Sequence, residues 1–168
     1  MSSEDRGARG PDAGAAQGVF AGIVQVVRWA GRADVRRRLL GATGQLLPVV
    51  EVELLRTLSA RGPMRISELA QHHGVDKSTV APPINRLERR GLVARHDDPG
   101  DRRAVLVAAT EEGRRTQAEM DRTGAAVVEE LLDGWDDEDR ATLARLLTRL
   151  GDELAETRAG AEGTRPRR

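Results

Sequence analysis

The sequence predicts a mainly α-helical fold with one small β-hairpin, flanked by long N- and C-terminal helices. Apolar residues recur at helical spacing over most of the chain. The stretch from Leu92 to Ala108 is instead β-prone on both sides of a turn signal at 97–101. The last two helical stretches contain no proline and run about 23 residues each, or roughly 35 Å. Helices of that length overhang a small globule, so their apolar stripes need a partner.

Composition excludes several classes of function. The chain has 168 residues, 27 basic and 27 acidic side chains, and a formal net charge of +0. It has no Cys, which excludes disulfides, thiol catalysis and cysteine redox sensing. Aromatic residues make up 2%, too few for base-stacking RNA-binding modules. No apolar segment approaches the roughly 20 residues of a membrane span, and no signal peptide is recognisable, so we expect a cytoplasmic protein with no membrane partner.

The N-terminal part is predicted to hold one long helix. Residues 17–40 place Phe20 and Val24 at helical spacing. Residues 1–16 before this helix, and residues 158–168 at the other end, are small, polar and rich in Gly, Pro or Arg. Such segments cannot bury apolar area, so we expect both to be disordered tails.

The next predicted helix covers residues 48–60. Pro48 suits a first helical turn, and Arg61-Gly62-Pro63 ends the helix. Its apolar face is predicted to comprise Val49, Val52, Leu55 and Leu58.

Two short helices then follow, joined by a tight turn. Ser67 is a candidate N-cap for a helix over 68–73, and Asp76 for a helix over 77–90. The turn is Gly74-Val75-Asp76, in which Val75 is expected to be a buried plug between the helices. This arrangement predicts a helix-turn-helix, and the hairpin that follows makes it a winged helix.

The second of these helices separates core residues from polar ones. Val80, Ile84 and Leu87 lie at positions i, i+4 and i+7 and are expected to face the core. The polar face could be an ordinary solvated surface, but behind a capped turn it favours DNA contact. Helix N-termini attract phosphates, and Asn and Arg side chains reach base edges. The residues expected to contact DNA here are Ser67, Lys77, Ser78, Thr79, Pro82, Asn85, Arg86 and Arg89.

Two prolines, Pro82 and Pro83, interrupt this helix. Each removes a main-chain hydrogen bond and disfavours a regular helix by about 3 kcal/mol or more. In one interpretation the helix kinks or shifts its start, and Pro82 meets a thymine methyl group. In the other, the first turn is uncoupled and DNA binding is altered. The unbroken core spacing favours the first.

The tip of the hairpin carries two adjacent arginines, Arg102 and Arg103. Arginines on such a tip suit the negative potential of a DNA minor groove. Asp101 is expected to orient Arg103 through an ion pair. The alternative is an ordinary polar turn with a weak surface salt bridge.

The predicted C-terminal helices complete the fold. Thr110 can cap a helix that reaches about Asp133, and Asp136 can cap a last helix to about Arg158. We expect their apolar stripes to pack on the first helix and on a second subunit, which makes the protein a homodimer.

The motifs resemble those of the MarR family of winged-helix regulators. The resemblance is carried by Ile66-Ser67-Glu68-Leu69-Ala70, Ser78-Thr79-Val80, Arg86 to Val93, Asp98-Pro99-x-Asp101-Arg102-Arg103 and Thr110-x-x-Gly113. It implies a homodimer on a pseudo-palindromic operator, with Arg103 in the minor groove. It also implies transcriptional repression that a small-molecule effector relieves. Ala109 departs from the family pattern, which usually has a larger apolar residue there.

These observations together predict a sequence-specific DNA-binding regulator with no enzymatic activity, no cofactor and no metal site. Trp29 is a weak candidate for an effector pocket, and a core or interface role is an equal alternative. A second interpretation of the whole chain is a dimeric winged-helix adaptor that binds protein instead of DNA. The predicted segments are a disordered tail (1–16), an N-terminal dimerisation helix (17–47), a winged helix-turn-helix DNA-binding domain (48–109), C-terminal dimerisation helices (110–157) and a disordered tail (158–168).

Overall fold

A computed structural model describes residues 12–44 and 47–162 of the chain, as seven helices and a three-stranded antiparallel sheet within those ranges. The elements in chain order are α1 (Asp12–Ala30), α2 (Ala33–Gly44), α3 (Val49–Arg61), β1 (Met64–Arg65), α4 (Ile66–His73), α5 (Lys77–Arg89), β2 (Val93–Asp98), β3 (Asp101–Ala109), α6 (Glu111–Leu131) and α7 (Asp137–Glu162). The predicted fold class, mainly helical with a small β wing, is confirmed.

The core lies where α3, α4 and α5 pack against the sheet and the first half of α6. The largest apolar side chains there are almost fully buried: Leu55, Leu58, Leu69, Ile84, Leu87 and Met120. Val80, Ile84 and Leu87 are at most 2% exposed, which confirms the predicted inward face of α5. Val49 is half exposed, so the predicted apolar face of α3 begins later, at Val52.

The sheet has the strand order β1-β3-β2, and β1 is a strand that the sequence interpretation missed. Met64 pairs with Val107 and Arg65 with Leu106. The chain passes from Arg65 directly into α4, whose first residue is Ile66. Ser67 therefore lies inside the helix, and its prediction as the N-cap is wrong. The carboxylate of Glu68 instead accepts the main-chain N–H of Arg65 at 2.8 Å.

The single N-terminal helix predicted over residues 17–40 is wrong, because two helices occupy this region. Helix α1 ends at Ala30, where Gly31 and Arg32 form a turn, and α2 begins at Ala33. Glycine lowers the stability of a helix interior relative to alanine, so Gly31 favours the end of α1. Arg32 donates to the carboxylate of Asp34, and an acidic residue in the first turn favours the start of α2.

The helices at both ends reach into the segments predicted as tails. Helix α1 begins at Asp12, within predicted tail 1–16, and α7 continues to Glu162, within predicted tail 158–168. Residues 1–11 and 163–168 lie outside the described residues.

Two predicted caps are confirmed in the C-terminal half. Thr110 Oγ1 accepts the N–H of Gly113 at 3.0 Å, and Asp136 Oδ1 accepts the N–H of Asp139 at 2.8 Å. Gly113 also explains the spacing of the Thr110-x-x-Gly113 motif. A Cβ atom at this position would lie 2.0 Å from the main-chain oxygen of Leu92, so only glycine fits the crossing of α6 over the start of the hairpin.

The N-terminal helix and the last helix keep large apolar side chains exposed. On α1 and α7 these are Val19, Phe20, Ile23, Val24, Val26, Val27, Leu146, Leu147 and Leu154, each between 37% and 68% exposed. Helix α2, by contrast, packs against α6 and buries Val35. In the described part of the chain, no helix combines the length and apolar character needed to cross a lipid bilayer.

Candidate nucleic-acid interface

Helix α5 presents a polar stripe on the side opposite the core. Successive residues of an α-helix are rotated by about 100°, so the residues farthest from Val80, Ile84 and Leu87 follow a spacing of i, i+4, i+7 and i+11. They are Ser78, Pro82, Asn85 and Arg89, and all four are exposed. We refer to these four residues as the outer stripe. It is the part of α5 best placed to meet another molecule.

The first turn of α5 is open to solvent. Lys77, Ser78 and Thr79 are exposed. The N–H of Thr79 donates to the carbonyl oxygen of Asp76 at 2.9 Å, whereas the N–H groups of Lys77 and Ser78 come before the first helical hydrogen bond. Asp76 occupies the N-cap position, but its side chain makes no cap hydrogen bond, so that part of the prediction is wrong. An open, electropositive helix start is suited to a phosphate group.

The two prolines leave α5 as one helix from Lys77 to Arg89. The start of α5 is therefore not shifted from the predicted residue, Lys77, whereas the kink stays a prediction. The lost hydrogen bonds would have ended on the carbonyl groups of Ser78 and Thr79, close to the exposed first turn. Pro83 is buried with the core residues of α5, whereas Pro82 is exposed on the outer stripe.

Arg86 is directed away from the outer stripe. Its Nε donates to Glu51 Oε1 on α3, and the Glu51 side chain is completely buried. Arg86 was expected to contact DNA, which stays a prediction: its Nε is bound to this carboxylate, and its side chain is 40% exposed. A buried carboxylate needs a compensating charge, which explains the arrangement.

Asn85 is joined to the hairpin. Its Oδ1 accepts a hydrogen bond from Arg95 Nη2 on β2 at 2.6 Å. Arg95 also lies 3.4 Å from the Glu88 carboxylate, measured from Nε to Oε2. Helix α5 and strand β2 are therefore bridged by polar contacts at the edge of the outer stripe.

The hairpin tip is shaped by main-chain contacts to two aspartates. Asp98 Oδ1 accepts the N–H of Gly100 at 2.8 Å, and Asp101 Oδ1 accepts the N–H of Arg103 at 3.0 Å. Asp101 thus supports Arg103 through its main chain, and its other oxygen lies 3.8 Å from Arg65. Asp101 therefore contacts the main chain of Arg103 and the side chain of Arg65, in place of the predicted ion pair with the Arg103 side chain. The Arg103 side chain is exposed, and the Arg102 side chain lies outside the described residues.

Arg65 on β1 anchors the base of the hairpin. Its Nε and Nη2 lie 2.9 and 2.5 Å from Asp98 Oδ2. Hydrogen bonding from Arg65 holds the pKa of the Asp98 carboxyl below its ordinary value, and the N–H of Gly100 adds to this effect. The same pair raises the pKa of Arg65.

The structure also gives the exposure of three other residues singled out in the sequence. Val75 was expected to be buried between the helices but is 42% exposed, whereas Leu69 and Val80 on the two helices are buried. Ser67 is half-buried on α4. Trp29 is half-buried near the end of α1.

The sequence interpretation missed Glu51, Arg65 and Arg95, each of which holds a part of this surface. A signal existed for Glu51, since it stands at i of the apolar series i, i+4, i+7 that continues with Leu55 and Leu58. A carboxylate on such a series indicates a buried ion pair. For Arg65 and Arg95 the partners lie on other elements, and no local pattern indicated them.

Comparison with known proteins gives one family match and several relatives. The model described as "MarR family" matches residues 47–105, from the start of α3 into β3. The uncharacterised HTH-type transcriptional regulator YxaD of Bacillus subtilis is 31% identical over 97 residues, which cover 58% of this chain and 68% of YxaD. The HTH-type transcriptional repressor NicR of Pseudomonas putida is 39% identical over 67 residues, which cover 40% of this chain and 42% of NicR.

A solved structure with the same fold is that of Streptococcus pneumoniae FabT in complex with DNA. It superposes with a TM-score of 0.54 and 22% identity, and the match covers 86% of this chain and 96% of FabT. At this identity the likeness concerns the fold alone.

Proposed function

Because this chain belongs to the MarR family of winged-helix transcriptional regulators, we propose that it acts in the cytoplasm as a homodimeric repressor on a pseudo-palindromic operator. The observation that carries the proposal is the exposed outer stripe of α5, together with a hairpin that carries the exposed Arg103 near its tip. A helix of this kind fits the major groove, and an arginine-bearing hairpin fits the adjacent minor groove. The proposal gives the chain no catalytic role.

Each part of the surface has a different task in this proposal. Lys77 and the N–H groups of the first turn bind a phosphate, as do Thr79 and Ser67 near the turn. The outer stripe meets base edges, with Pro82 against a thymine methyl group. Arg103, with Arg102 beside it, enters the minor groove, where Asp101 keeps the main chain of the tip in place.

Homodimerisation is proposed through the terminal helices, in segments 17–47 and 110–157. The support is the large exposed apolar surface of α1 and α7, which the chain itself leaves uncovered in the described residues. Soluble monomers rarely expose a continuous apolar surface of this kind. A two-fold dimer would present both winged lobes, formed by residues 48–109, to half-sites about one helical turn apart.

Repression and effector release are the remaining parts of the proposal. The relative NicR is named a repressor, and FabT was solved with DNA. A repressor of this kind needs a release signal, and we place its effector beside Trp29, where a half-buried aromatic ring offers a flat apolar surface. The test is a titration of the DNA complex with aromatic carboxylates, which should release the DNA from wild type. The Trp29→Ala variant should stay bound to DNA in the same titration.

The central test is DNA binding by the purified full chain. Duplexes selected from a randomised library are measured by fluorescence anisotropy over a range of salt concentrations. Affinity should fall steeply with salt, because several Arg and Lys contacts release counterions. Arg103→Ala should weaken binding about ten-fold or more while the dimer persists.

The matched control is Arg115→Ala, which removes the same charge from an exposed position on another element, helix α6. It should leave affinity unchanged. Failure of the wild-type chain to bind any selected duplex would refute the proposed function, and an Arg103→Ala chain with wild-type affinity would refute the role of the hairpin.

A further inference from the structure

The amide group of Asn85 is held in one orientation by Arg95. Arg95 Nη2 lies 2.6 Å from Asn85 Oδ1. A guanidinium has only donors, so the atom that faces it must be the amide oxygen, and the NH2 group lies on the other side. This contact therefore determines which hydrogen-bonding group of Asn85 remains available.

Arg95 is itself fixed from a second direction. Its Nε lies 3.4 Å from Glu88 Oε2, and Glu88 is three residues after Asn85 on the same helix. The Arg95 side chain is 37% exposed and lies between these two residues. With two anchoring groups on α5, Arg95 has little freedom to release the Asn85 oxygen.

The available group of Asn85 is on the outer stripe, where the proposed function brings DNA bases. A free asparagine favours adenine, because its oxygen accepts from N6 and its NH2 group donates to N7. With the oxygen turned toward Arg95, the group that Asn85 presents on the outer stripe is its NH2 donor. In the major groove the best-matched edges are those of keto bases, with O6 and N7 of guanine or O4 of thymine as acceptors, because adenine places the N6 amino donor beside its one acceptor, N7.

We propose that Asn85 selects a keto base, guanine or thymine, at one strand position of the operator, and that Arg95 is the positioning residue that sets this choice. The inference rests on the proposed function. It adds a preference for keto bases over adenine, which requires Asn85 and Arg95 together.

The test uses the purified chain and the duplex that the wild-type chain selects from a randomised library. Asn85→Ala first identifies the strand position at which base preference is lost. Affinities are then measured for all four bases at that position, with wild type, Arg95→Met and Glu88→Gln. Arg95→Met removes the guanidinium but keeps an apolar stem, and Glu88→Gln removes only the second anchor, so it is the matched control. Circular dichroism verifies that each variant is folded.

Wild type should prefer guanine or thymine over adenine by about 5-fold or more, and Glu88→Gln should keep this order. Arg95→Met should raise the relative affinity for adenine by about 5-fold or more, because the freed oxygen can then accept from N6. A wild-type preference for adenine, no position affected by Asn85→Ala, or a uniform loss of affinity in Arg95→Met would each overturn the inference. Absence of binding by wild type would overturn the proposed function as well, which distinguishes the two failures.

Discussion

Arg86 on helix α5 donates from Nε to the carboxylate of Glu51, whose side chain is completely buried in α3. The Arg86 side chain is 40% exposed, so the pair reaches from the core to the surface. The second carboxylate oxygen, Oε2, has no hydrogen-bond partner among the described residues. Glu51 therefore depends on Arg86 for its compensation, and the pair joins α5 to α3.

Replacement of Arg86 by Met should lower the free energy of unfolding by about 2–3 kcal/mol. Loss of one partner leaves the other as a buried charge without compensation, and the partial exposure of Arg86 brings the effect below the about 3–5 kcal/mol of a fully buried pair. Urea unfolding followed by circular dichroism measures it.

The control for this pair is the double variant Glu51→Met/Arg86→Met. With both charges gone, apolar side chains of similar volume fill the same space, and stability should return to within about 1 kcal/mol of wild type. Equal losses in the single and double variants would show that packing, and not the ion pair, determines the stability of this contact.

The ion pair of Arg65 and Asp98 gives a pH-dependent stability. The folded state holds the pKa of Asp98 below its ordinary value of 3.8, so the pair contributes fully above that value. Its contribution is lost as the pH falls through the lowered pKa of the folded state. The melting temperature of Asp98→Asn should therefore be below that of wild type at pH 7, and the gap should close as the pH falls from about 5 toward 3.

The control is the same substitution at the adjacent aspartate, Asp97. Asp97→Asn removes the same charge from an exposed side chain of β2. Its melting temperature should follow that of wild type more closely at every pH. If Asp98→Asn and wild type differ by a constant amount from pH 7 to pH 3, the pair with Arg65 has no part in acid sensitivity.

The sequence predicts the elements that local rules determine and misses those that depend on distant partners. Val80, Ile84 and Leu87 share one face of a helix, and Thr110 carries its own cap, so both could be predicted from spacing. Strand β1 is two residues long and exists only because β3 pairs with it. The local sequence around Arg86 does not indicate an ion pair, because the buried partner, Glu51, lies on α3.

Gly113→Ala should lower the free energy of unfolding by about 3 kcal/mol or more. The new Cβ would lie 2.0 Å from the main-chain oxygen of Leu92, and a backbone atom cannot move aside as a flexible side chain can. Gly124→Ala in the same helix is the matched control. Its Cβ would lie 3.5 Å from the oxygen of Leu39, an ordinary contact, so the higher helix propensity of alanine should leave stability equal or higher by about 1 kcal/mol. Comparable losses in both variants would contradict the steric explanation.

The proposed dimer interface predicts the outcome of charge substitution on α1. Phe20 and Val27 are 68% and 64% exposed and lie seven residues apart on one face. The variant Phe20→Asp/Val27→Asp should raise the dimer Kd about 100-fold or more, because four carboxylates would have to be buried in a two-fold interface. Sedimentation equilibrium measures this change. Val105→Asp, at a 47% exposed apolar residue of the hairpin, should leave the dimer intact. Unchanged association of the α1 variant would move the interface elsewhere.

Pro82 is the residue of α5 at which stability and recognition are opposed. It is exposed on the outer stripe, and it denies the carbonyl group of Ser78 a helical hydrogen bond. Pro82→Ala restores that bond and should raise the free energy of unfolding by about 2 kcal/mol, after allowance for the greater freedom of alanine in the unfolded chain.

If Pro82 contacts a thymine methyl group, the same variant should also lose discrimination between thymine and deoxyuridine at one operator position. Anisotropy titrations with the two duplexes measure this. A stabilised variant with unchanged discrimination would show that the proline has no part in base recognition, whereas loss of both stability and binding would mean that the helix needs its proline to keep the correct backbone path.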